Sequence, residues 1–309
     1  MIYLIDASVY VFRAWHSLPP DITDRDGNPT QALYGFACFL SDLIERRQPR
    51  HVAVAFDESH GSGFRHRLYP PYKANREPAP EALRRQFALC REFCRHIGVA
   101  EFASQEYEAD DLIGTLARRC RDDGLSVTVV SRDKDLAQLI APGDVYWDYS
   151  DGVEYNYEQI AQRFGVLPER MADYQALRGD AVDNVPGVPG VGPKTAAALM
   201  GLFASLDELF AGLDAVRALP LRGVAALPQR LRLHREAAYL ARSLTRIVCD
   251  APIDDTAPGS VASAPRIGAD HLRRRAPDLE RIGAFCDTHG FGTLLQRQAA
   301  RLAAGSRAA

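Results

Sequence analysis

The chain has 309 residues, of which 47% are hydrophobic and 25% charged, and its formal net charge is −3. This length and apolar content favour a soluble protein with one larger and one smaller unit over a single helical bundle. The small net charge hides two basic stretches, at 60–100 and 217–246, which would attract a polyanion locally.

The chain begins with MIYLIDASVY, which lacks the basic start of a signal peptide and reaches an acid, Asp6, after five residues. This start therefore predicts neither a signal peptide nor a membrane anchor. We expect a cytoplasmic protein that does not bind membranes.

Short apolar runs predict strands at IYLID, HVAVAFD and SVTVVS, and helical periodicity lies between them at 31–47, 81–97 and 108–122. Alternating strands and helices predict an α/β fold with an open parallel sheet. After DVYWDY the strand signal ends, and helices are predicted near 157–164, 168–178, 193–201, 205–212 and 228–246. The sequence is thus divided into an α/β domain at 1–165, a helical domain at 166–260, and C-terminal helices with a frayed tail at 261–309.

Acidic residues follow three of the predicted strands. Asp6 and Asp57 end the first two, and Asp133 and Asp135 follow the third. Ligands of open α/β sheets bind at the carboxyl ends of the strands, so these acids should share one rim. The segment EYEADDLIGTLA adds Glu108, Asp110 and Asp111 at a helix start, with Glu108 and Asp111 on one helical face.

Each acid alone also has a structural explanation, as a helix cap, a partner of the helix dipole or part of a solvated turn. Together they would repel one another unless cations lie among them. The six cysteines show no Cys-x-x-Cys pair, so we interpret them as reduced thiols of the core and not as zinc ligands. An all-oxygen ligand set favours Mg²⁺ or Mn²⁺ over zinc.

The stretch GDAVDNVPGVPGVGPKTAAAL places Asp180 and Asp183 before a run of glycines and prolines that ends at Lys194. Glycines let backbone N–H groups approach a bulky anion, and the start of the following helix attracts phosphate. This pattern is typical of a helix-hairpin-helix element that holds a nucleic-acid backbone without reading bases. A plain loop between two helices is the alternative.

Five motifs in order carry a resemblance: LIDASVYVFRAWH, AFD followed by FRHRLYPPYKANR, EADDLIGTLA, RDKDLAQL and GDAVDNVPGVPGVGPKTA. Over about residues 2–255 the chain resembles the 5′ nuclease (flap endonuclease) family, in particular the N-terminal nuclease domain of bacterial DNA polymerase I. The chain ends without a polymerase-sized extension, so we expect a free-standing form. The resemblance implies a resolvase-like nuclease domain followed by a helical domain with the hairpin element.

The resemblance also implies a phosphodiesterase that uses two metal ions and leaves a 5′-phosphate and a 3′-hydroxyl. Its first metal group corresponds to Asp6, Asp57, Glu108, Asp110 and Asp111. Its second corresponds to Asp133, Asp135, Asp180 and Asp183. No acid of the pattern is missing, which argues against a member that has lost one metal site.

Residues 60–95 correspond to the family's arch over the active site, and four prolines in this stretch predict that it is no continuous helix in the free protein. We expect the arch to order when a 5′ strand binds. Arg65, Lys73 and Arg76 match phosphate-contacting catalytic positions. Tyr72 either stacks on a base near the cut or is a buried ring beside Pro71. The expected DNA contacts are Arg13, Tyr72, Gly187, Gly190, Gly192, Lys194 and Thr195.

The expected substrate is DNA with a 5′ flap, a nick or a free 5′ end, and a replication or repair polymerase is an expected partner of a monomeric enzyme. The resemblance further implies a K⁺ site at the hairpin carbonyls. Two alternatives remain: a small ribonuclease with a similar acidic domain, and a binding protein that holds branched DNA without cutting it.

The chain contains far more arginine than lysine, with 34 arginines and three lysines. The lysines are Lys73, Lys134 and Lys194, each inside one of the motifs. This distribution suggests positions where a compact ammonium is needed instead of a planar guanidinium.

Overall fold

The computed structural model describes residues 1–58, 61–253 and 267–306. Its centre is a six-stranded sheet in the order β3-β2-β1-β4-β5-β6. The strands are β1 (Ile2–Asp6), β2 (His51–Asp57), β3 (Ala100–Ser104), β4 (Val127–Val130), β5 (Val145–Asp148) and β6 (Val153–Tyr155). The three strands predicted from apolar runs are confirmed.

The predicted α/β sheet with parallel strands is confirmed, and one edge strand makes the sheet mixed. Strands β1 to β5 pair in parallel, but β6 runs antiparallel to β5 at the edge. Strands β3 and β6 were not predicted. Neither AEFAS nor VEY contains the long β-branched run of a central strand, because both lie at sheet edges and are only partly covered.

Helices cover both faces of the sheet. The helices of this first region are α1 (Ala7–Ser17), α2 (Gln31–Arg47), α3 (Phe64–Leu68), α4 (Glu81–His96) and α5 (Ala109–Asp122). Side chains alternate along each strand, so Ile2 and Leu4 of β1 pack with α5, whereas Ile5 packs with α1, α2 and α4 on the other face. Helix α1 was not predicted, because its β-branched and aromatic residues mask the helical period.

The second region is helical. It contains α6 (Tyr157–Phe164), α7 (Met171–Arg178), α8 (Pro193–Leu202), α9 (Leu206–Ala211), α10 (Leu227–Leu233) and α11 (Arg235–Thr245). Its apolar residues continue the core on the α5 side of the sheet. The single helix predicted at 228–246 is wrong in one respect: it breaks at His234, where Leu233 points into solvent with 79% of its surface exposed.

Two C-terminal helices, α12 (Leu279–His289) and α13 (Leu294–Ser306), return to the first region and pack on α2 and α4. The frayed end predicted at AAGSRAA, residues 303–309, is wrong for 303–306, which belong to α13. Residues 307–309, the expected domain boundary at 260/261 and residue 60 at the start of the arch lie outside the described residues. Within the described ranges, no helix is both long enough and apolar enough to cross a bilayer.

Candidate active site

The strand ends bring three acidic segments together. Asp6 ends β1 and caps α1, where its Oδ1 accepts a hydrogen bond from Ser8 N at 3.1 Å. Asp57 ends β2, and Asp133 follows β4, where its Oδ1 accepts from Asp135 N at 2.9 Å. Because β1, β2 and β4 are parallel neighbours, their carboxyl ends open at one edge.

One cavity at this edge collects eight carboxylates from both regions of the chain. Helix α5 contributes two at its start, and the loop after α7 contributes two from the opposite side. The eight are Asp6, Asp57, Glu108, Asp110, Asp133, Asp135, Asp180 and Asp183.

Asp111 is not among them, which corrects its assignment as a metal ligand. Its side chain is fully buried, and both of its oxygens are already bound. Arg65 donates to Oδ2 at 2.6 Å and to Oδ1 at 2.8 Å, while Val248 N donates to Oδ1 at 2.8 Å. Asp111 and Glu108 do lie on one side, as predicted, since Arg65 Nη1 is 2.6 Å from Asp111 Oδ2 and 3.7 Å from Glu108 Oε2. Glu108 is, however, the extended cap of α5 and lies outside the helix.

The predicted role of Arg65 as a phosphate-contacting residue is corrected for a related reason. Only 3% of its surface is exposed, and its guanidinium also donates to the carbonyls of Leu244 and Arg246 at 2.8 and 3.0 Å. Arg65 lines the cavity, but its guanidinium is committed to Asp111 and to these carbonyls. It therefore ties the arch base and α5 to the end of α11, which corrects its assignment as a phosphate contact.

Lysine, arginine and amide groups hold four of the eight carboxylates. Lys73 Nζ lies 2.8 Å from Glu108 Oε1 and 4.0 Å from Asp183 Oδ2. Arg76 also pairs with Asp183. Lys134 Nζ lies 2.6 Å from Asp180 Oδ2. Gln175 donates to Asp135.

Lys73 has a left-handed backbone conformation, with φ of 53°, which residues other than glycine rarely adopt. Its N–H donates to Asp183 O at 2.9 Å while its ammonium contacts Glu108. The left-handed turn thus lets one residue bridge the two acidic segments that come from different regions.

Three acids of the cavity that form no ion pair with the described residues have raised pKa values. Burial and the neighbouring Asp133 raise the pKa of Asp6 to about 7, and the same two causes raise the pKa of Asp135 to about 7. Burial, Asp133 and Asp6 raise the pKa of Asp110 well above its ordinary value. Like charges held this closely favour the protonated form unless cations enter.

The pKa of Glu108 is shifted in the opposite direction. Burial acts to raise its pKa, but Lys73 and Arg65 outweigh burial and lower it. Asp183 is also paired, with Arg76, but burial outweighs its cationic partners and raises its pKa.

The donor chemistry fits two hard divalent cations, since the cavity offers carboxylate oxygens and several of its acids lack compensating charge. Within the described ranges, no three His, Cys, Asp or Glu side chains already surround a single point as ligands would. Ions would therefore have to draw the carboxylates inward and displace some of the cationic partners.

The described part of the arch is a broken structure, as the prolines predicted. Helix α3 ends at Leu68, turns follow at 70–76, and α4 begins at Glu81. Only 4% of the Tyr72 surface is exposed, and its hydroxyl donates to Glu108 Oε2 at 3.1 Å. Of the two alternatives for Tyr72, the structure therefore shows the buried ring. This ring has no free face on which a base could stack.

The hairpin after α7 contains glycines with different roles. A Cβ on Gly179 would lie 2.7 Å from Gly187 N, and a Cβ on Gly187 would collide with the carbonyl of Arg178. Gly187 is therefore required for close backbone packing and not for contact with an anion, which corrects its assignment as a DNA contact. Gly190 has φ of 74° and lies beside the guanidinium of Arg230.

Gly192, Lys194 and Thr195 remain accessible at the start of α8. Gly192 is the cap of this helix. Apart from its chain neighbours, no described residue has an atom within 4 Å of the position that a Cβ on Gly192 would take. Lys194 is exposed. Arg13 is also exposed, on α1, and it donates to Ser150. These four residues are open to a ligand.

Three polar residues of the site were not predicted as site residues. Ser131 Oγ donates to Asp6 Oδ2 at 2.9 Å and accepts from Asp133 N at 2.9 Å. Gln175 holds Asp135, and Lys134 holds Asp180. Only Lys134 had a sequence signal, since it is one of three lysines in the chain.

Two family models match the chain. Residues 1–165 match the N-terminal resolvase-like domain of 5′-3′ exonucleases, and residues 166–265 match their C-terminal SAM fold. The chain is 39% identical over 305 residues to DNA polymerase I of Rhizobium leguminosarum, covering 96% of this chain and 28% of the relative. It is 34% identical over 298 residues to DNA polymerase I of Bacillus caldotenax, covering 95% of this chain and 32% of the relative.

The chain therefore spans about a third or less of the length of these relatives. A bacteriophage T5 flap endonuclease, solved in a pseudo-enzyme-product complex with DNA and metal ions, has the same fold with a TM-score of 0.62. The two are 17% identical, and the match covers 97% of each chain.

Proposed function

Because the chain belongs to the 5′-3′ exonuclease family, we propose that it is a structure-specific nuclease that hydrolyses DNA next to a free or displaced 5′ strand. The products are a 5′-phosphate and a 3′-hydroxyl. The observation that carries the proposal is the single cavity in which eight carboxylates from both regions meet beside Lys73. A structural role explains one or two acids in a cavity but not eight that meet there.

The proposed cofactors are two Mg²⁺ or Mn²⁺ ions. One would be held by Asp6, Asp57, Glu108 and Asp110, and the other by Asp133, Asp135, Asp180 and Asp183. When bound, such a pair supplies a nucleophile at neutral pH and neutralises charge on the attacking and leaving oxygens.

Side chains of the cavity position these acids and the substrate. Ser131 fixes Asp6 and Gln175 fixes Asp135 by hydrogen bonds. Lys73 and Arg76 carry positive charge on the side of the cavity formed by the arch. We infer that both side chains bind the phosphate to be cut, where their charge stabilises the negative charge of the transition state.

Duplex DNA is proposed to bind at the hairpin. Gly192 leaves the N-terminus of α8 uncovered, and Lys194 adds an exposed ammonium at the same end. Contacts of this kind grip phosphates without reading sequence. A K⁺ ion at the hairpin carbonyls, a monomeric state, a cytoplasmic location and a polymerase that hands over the substrate belong to the same proposal.

The test is incubation of the chain with a labelled 5′-flap duplex, the same duplex without a flap, and a flap made of RNA, each with Mg²⁺ or with EDTA. Cleavage of the DNA flap only with Mg²⁺, and its loss in Asp110→Asn, is the expected result. Retention of DNA without cleavage would support a branched-DNA-binding protein. Preference for the RNA flap would support the ribonuclease.

A further inference from the structure

The structure gives the three lysines of the chain two kinds of environment. Lys73 and Lys134 are each bound to a carboxylate of the acid cavity, at 2.8 and 2.6 Å. Lys194 lies exposed at the start of α8. The contact of Lys134 is unexpected, because its ammonium bonds the very carboxylate that the proposed second ion would use.

Lys134 lies in the short turn after β4, between Asp133 and Asp135. Its side chain spans the gap to the loop after α7, where Asp180 is buried with 8% of its surface exposed. The Lys134 side chain itself keeps 38% of its surface in solvent. An ammonium held at one end and solvated along its length can leave its partner without breaking the core.

The carboxylates of the two proposed ion groups differ in how they are neutralised. In the second group, Asp180 pairs with Lys134, and Asp183 pairs with Arg76. In the first group, neither Asp6 nor Asp110 forms an ion pair with any residue that the structure describes. Glu108 of the first group is also paired, with Lys73. A first divalent ion would still find Asp6 and Asp110 without such a pair, whereas an ion in the second group must compete with Lys134 and Arg76.

We propose that Lys134 is a built-in counter-ion of the second ion group, whose ammonium occupies Asp180 until a divalent ion displaces it. This inference rests on the proposed two-ion function. It makes occupancy of the second group a response to the divalent-ion concentration, and it holds Asp180 and the turn after β4 together in the absence of ions.

A lysine suits this role better than an arginine. The pair between Arg65 and Asp111 is joined by two parallel hydrogen bonds and is fully enclosed. Lys134 makes one hydrogen bond through a compact, strongly hydrated group. The first arrangement is permanent, whereas the second can exchange.

The first test measures Mn²⁺ binding to the full chain by calorimetry without DNA. Lys134→Met removes the competing charge, so the weaker of two binding steps should tighten by about tenfold, while the tighter step changes little. Lys134→Arg keeps the charge and should not tighten it. Arg132→Met is the matched control, because Arg132 lies in the same turn but pairs with Asp148 at 3.2 Å, away from the cavity.

An unchanged or weaker second step in Lys134→Met would overturn the inference, as would an equal gain in Arg132→Met. The second result would mean that the net positive charge of the turn, and not the contact with Asp180, sets the Mn²⁺ affinity of the second step.

The second test uses the unmutated chain, so it does not depend on how the variants fold. With lysine labelled by ¹³C, the chain gives side-chain signals from three residues only. During a Mg²⁺ titration the Lys134 signal should move with the second binding step, and the Lys194 signal should stay in place. A Lys134 signal that stays in place while two ions bind contradicts the inference and leaves the nuclease proposal standing. Failure to bind any ion contradicts the nuclease proposal itself.

Discussion

Asp110 and Asp111 are neighbours in the first turn of α5, yet their carboxylates serve different purposes. Asp110 lines the cavity, whereas Asp111 is enclosed by Arg65 and by the backbone near Val248. Sequence motifs identified both as acids of the site, because a motif records residue type and order. The direction of each side chain depends on where α5 begins, and Glu108 is an extended cap that the helical period does not describe.

We therefore expect opposite effects from two equal substitutions. Asp110→Asn removes an uncompensated charge and should abolish cleavage and weaken Mn²⁺ binding while leaving the unfolding free energy unchanged or higher. Asp111→Asn leaves the buried Arg65 without its carboxylate and should lower the unfolding free energy by about 3 kcal/mol, with Mn²⁺ binding retained. Urea denaturation and calorimetry measure the two quantities. Loss of Mn²⁺ binding at full stability in Asp111→Asn would return Asp111 to the ion groups.

At the scale of elements, the turn chemistry was predicted better than the side-chain roles. The prolines of the arch predicted a break between two helices, and the structure has α3, a turn and α4. Ordering of the arch on DNA stays a prediction. In the hairpin, the glycines were predicted as one anion-binding set, but backbone distances separate Gly187, which packs on α7, from Gly192, which is open. Sequence spacing cannot reveal which backbone lies against a glycine.

This separation can be measured with alanine. Gly187→Ala should force the hairpin away from the end of α7 and lower the unfolding free energy by about 2 kcal/mol, as overpacking does. Gly192→Ala is the control, since its φ is −89° and nothing lies within 4 Å of the added methyl group. Chemical denaturation should show this loss in the first variant and not in the second. If both variants behave alike, the close contact with Arg178 does not constrain the hairpin.

For the whole molecule, the alternation of strands and helices predicted the layered first region, because buried strands and amphipathic helices leave strong periodic signals. The edge strands and the return of α12 and α13 to that region were not predicted. Both depend on contacts between segments far apart in the chain, such as Phe93 against Phe285 at 6.0 Å between ring centres. Local sequence patterns do not specify such partners.

The acid cavity also sets a pH dependence for the stability of the whole chain without ions. The folded pKa of Asp6 and Asp135 is about 7, above the ordinary value near 3.9 of an unfolded chain. The folded state therefore binds these protons more tightly, so the stabilisation is present below about pH 4 and is lost as the pH rises through about 7. In EDTA the melting temperature should fall between about pH 4 and 7, and Mn²⁺ at about pH 8 should raise it by several degrees.

The same melting experiment on Asp6→Asn serves as the control. Its melting temperature should depend less on pH over this range, because one of the titrating carboxylates is gone. A melting temperature of the parent chain that stays constant in EDTA over the same range would contradict the raised pKa values.

The left-handed backbone at Lys73 has a conformational cost, which its ammonium offsets by pairing with the buried Glu108. Side chains with a Cβ adopt such a φ at a cost of about 1 kcal/mol, which glycine avoids. Lys73→Ala and Lys73→Gly both lose the ammonium and should both be inactive, but the glycine variant should be the more stable by about 0.5–1 kcal/mol. Comparing the two denaturation curves isolates the backbone from the charge, and equal curves would show no strain. A library of this chain that excludes cationic residues at position 73 should therefore enrich glycine there when it is screened for heat resistance.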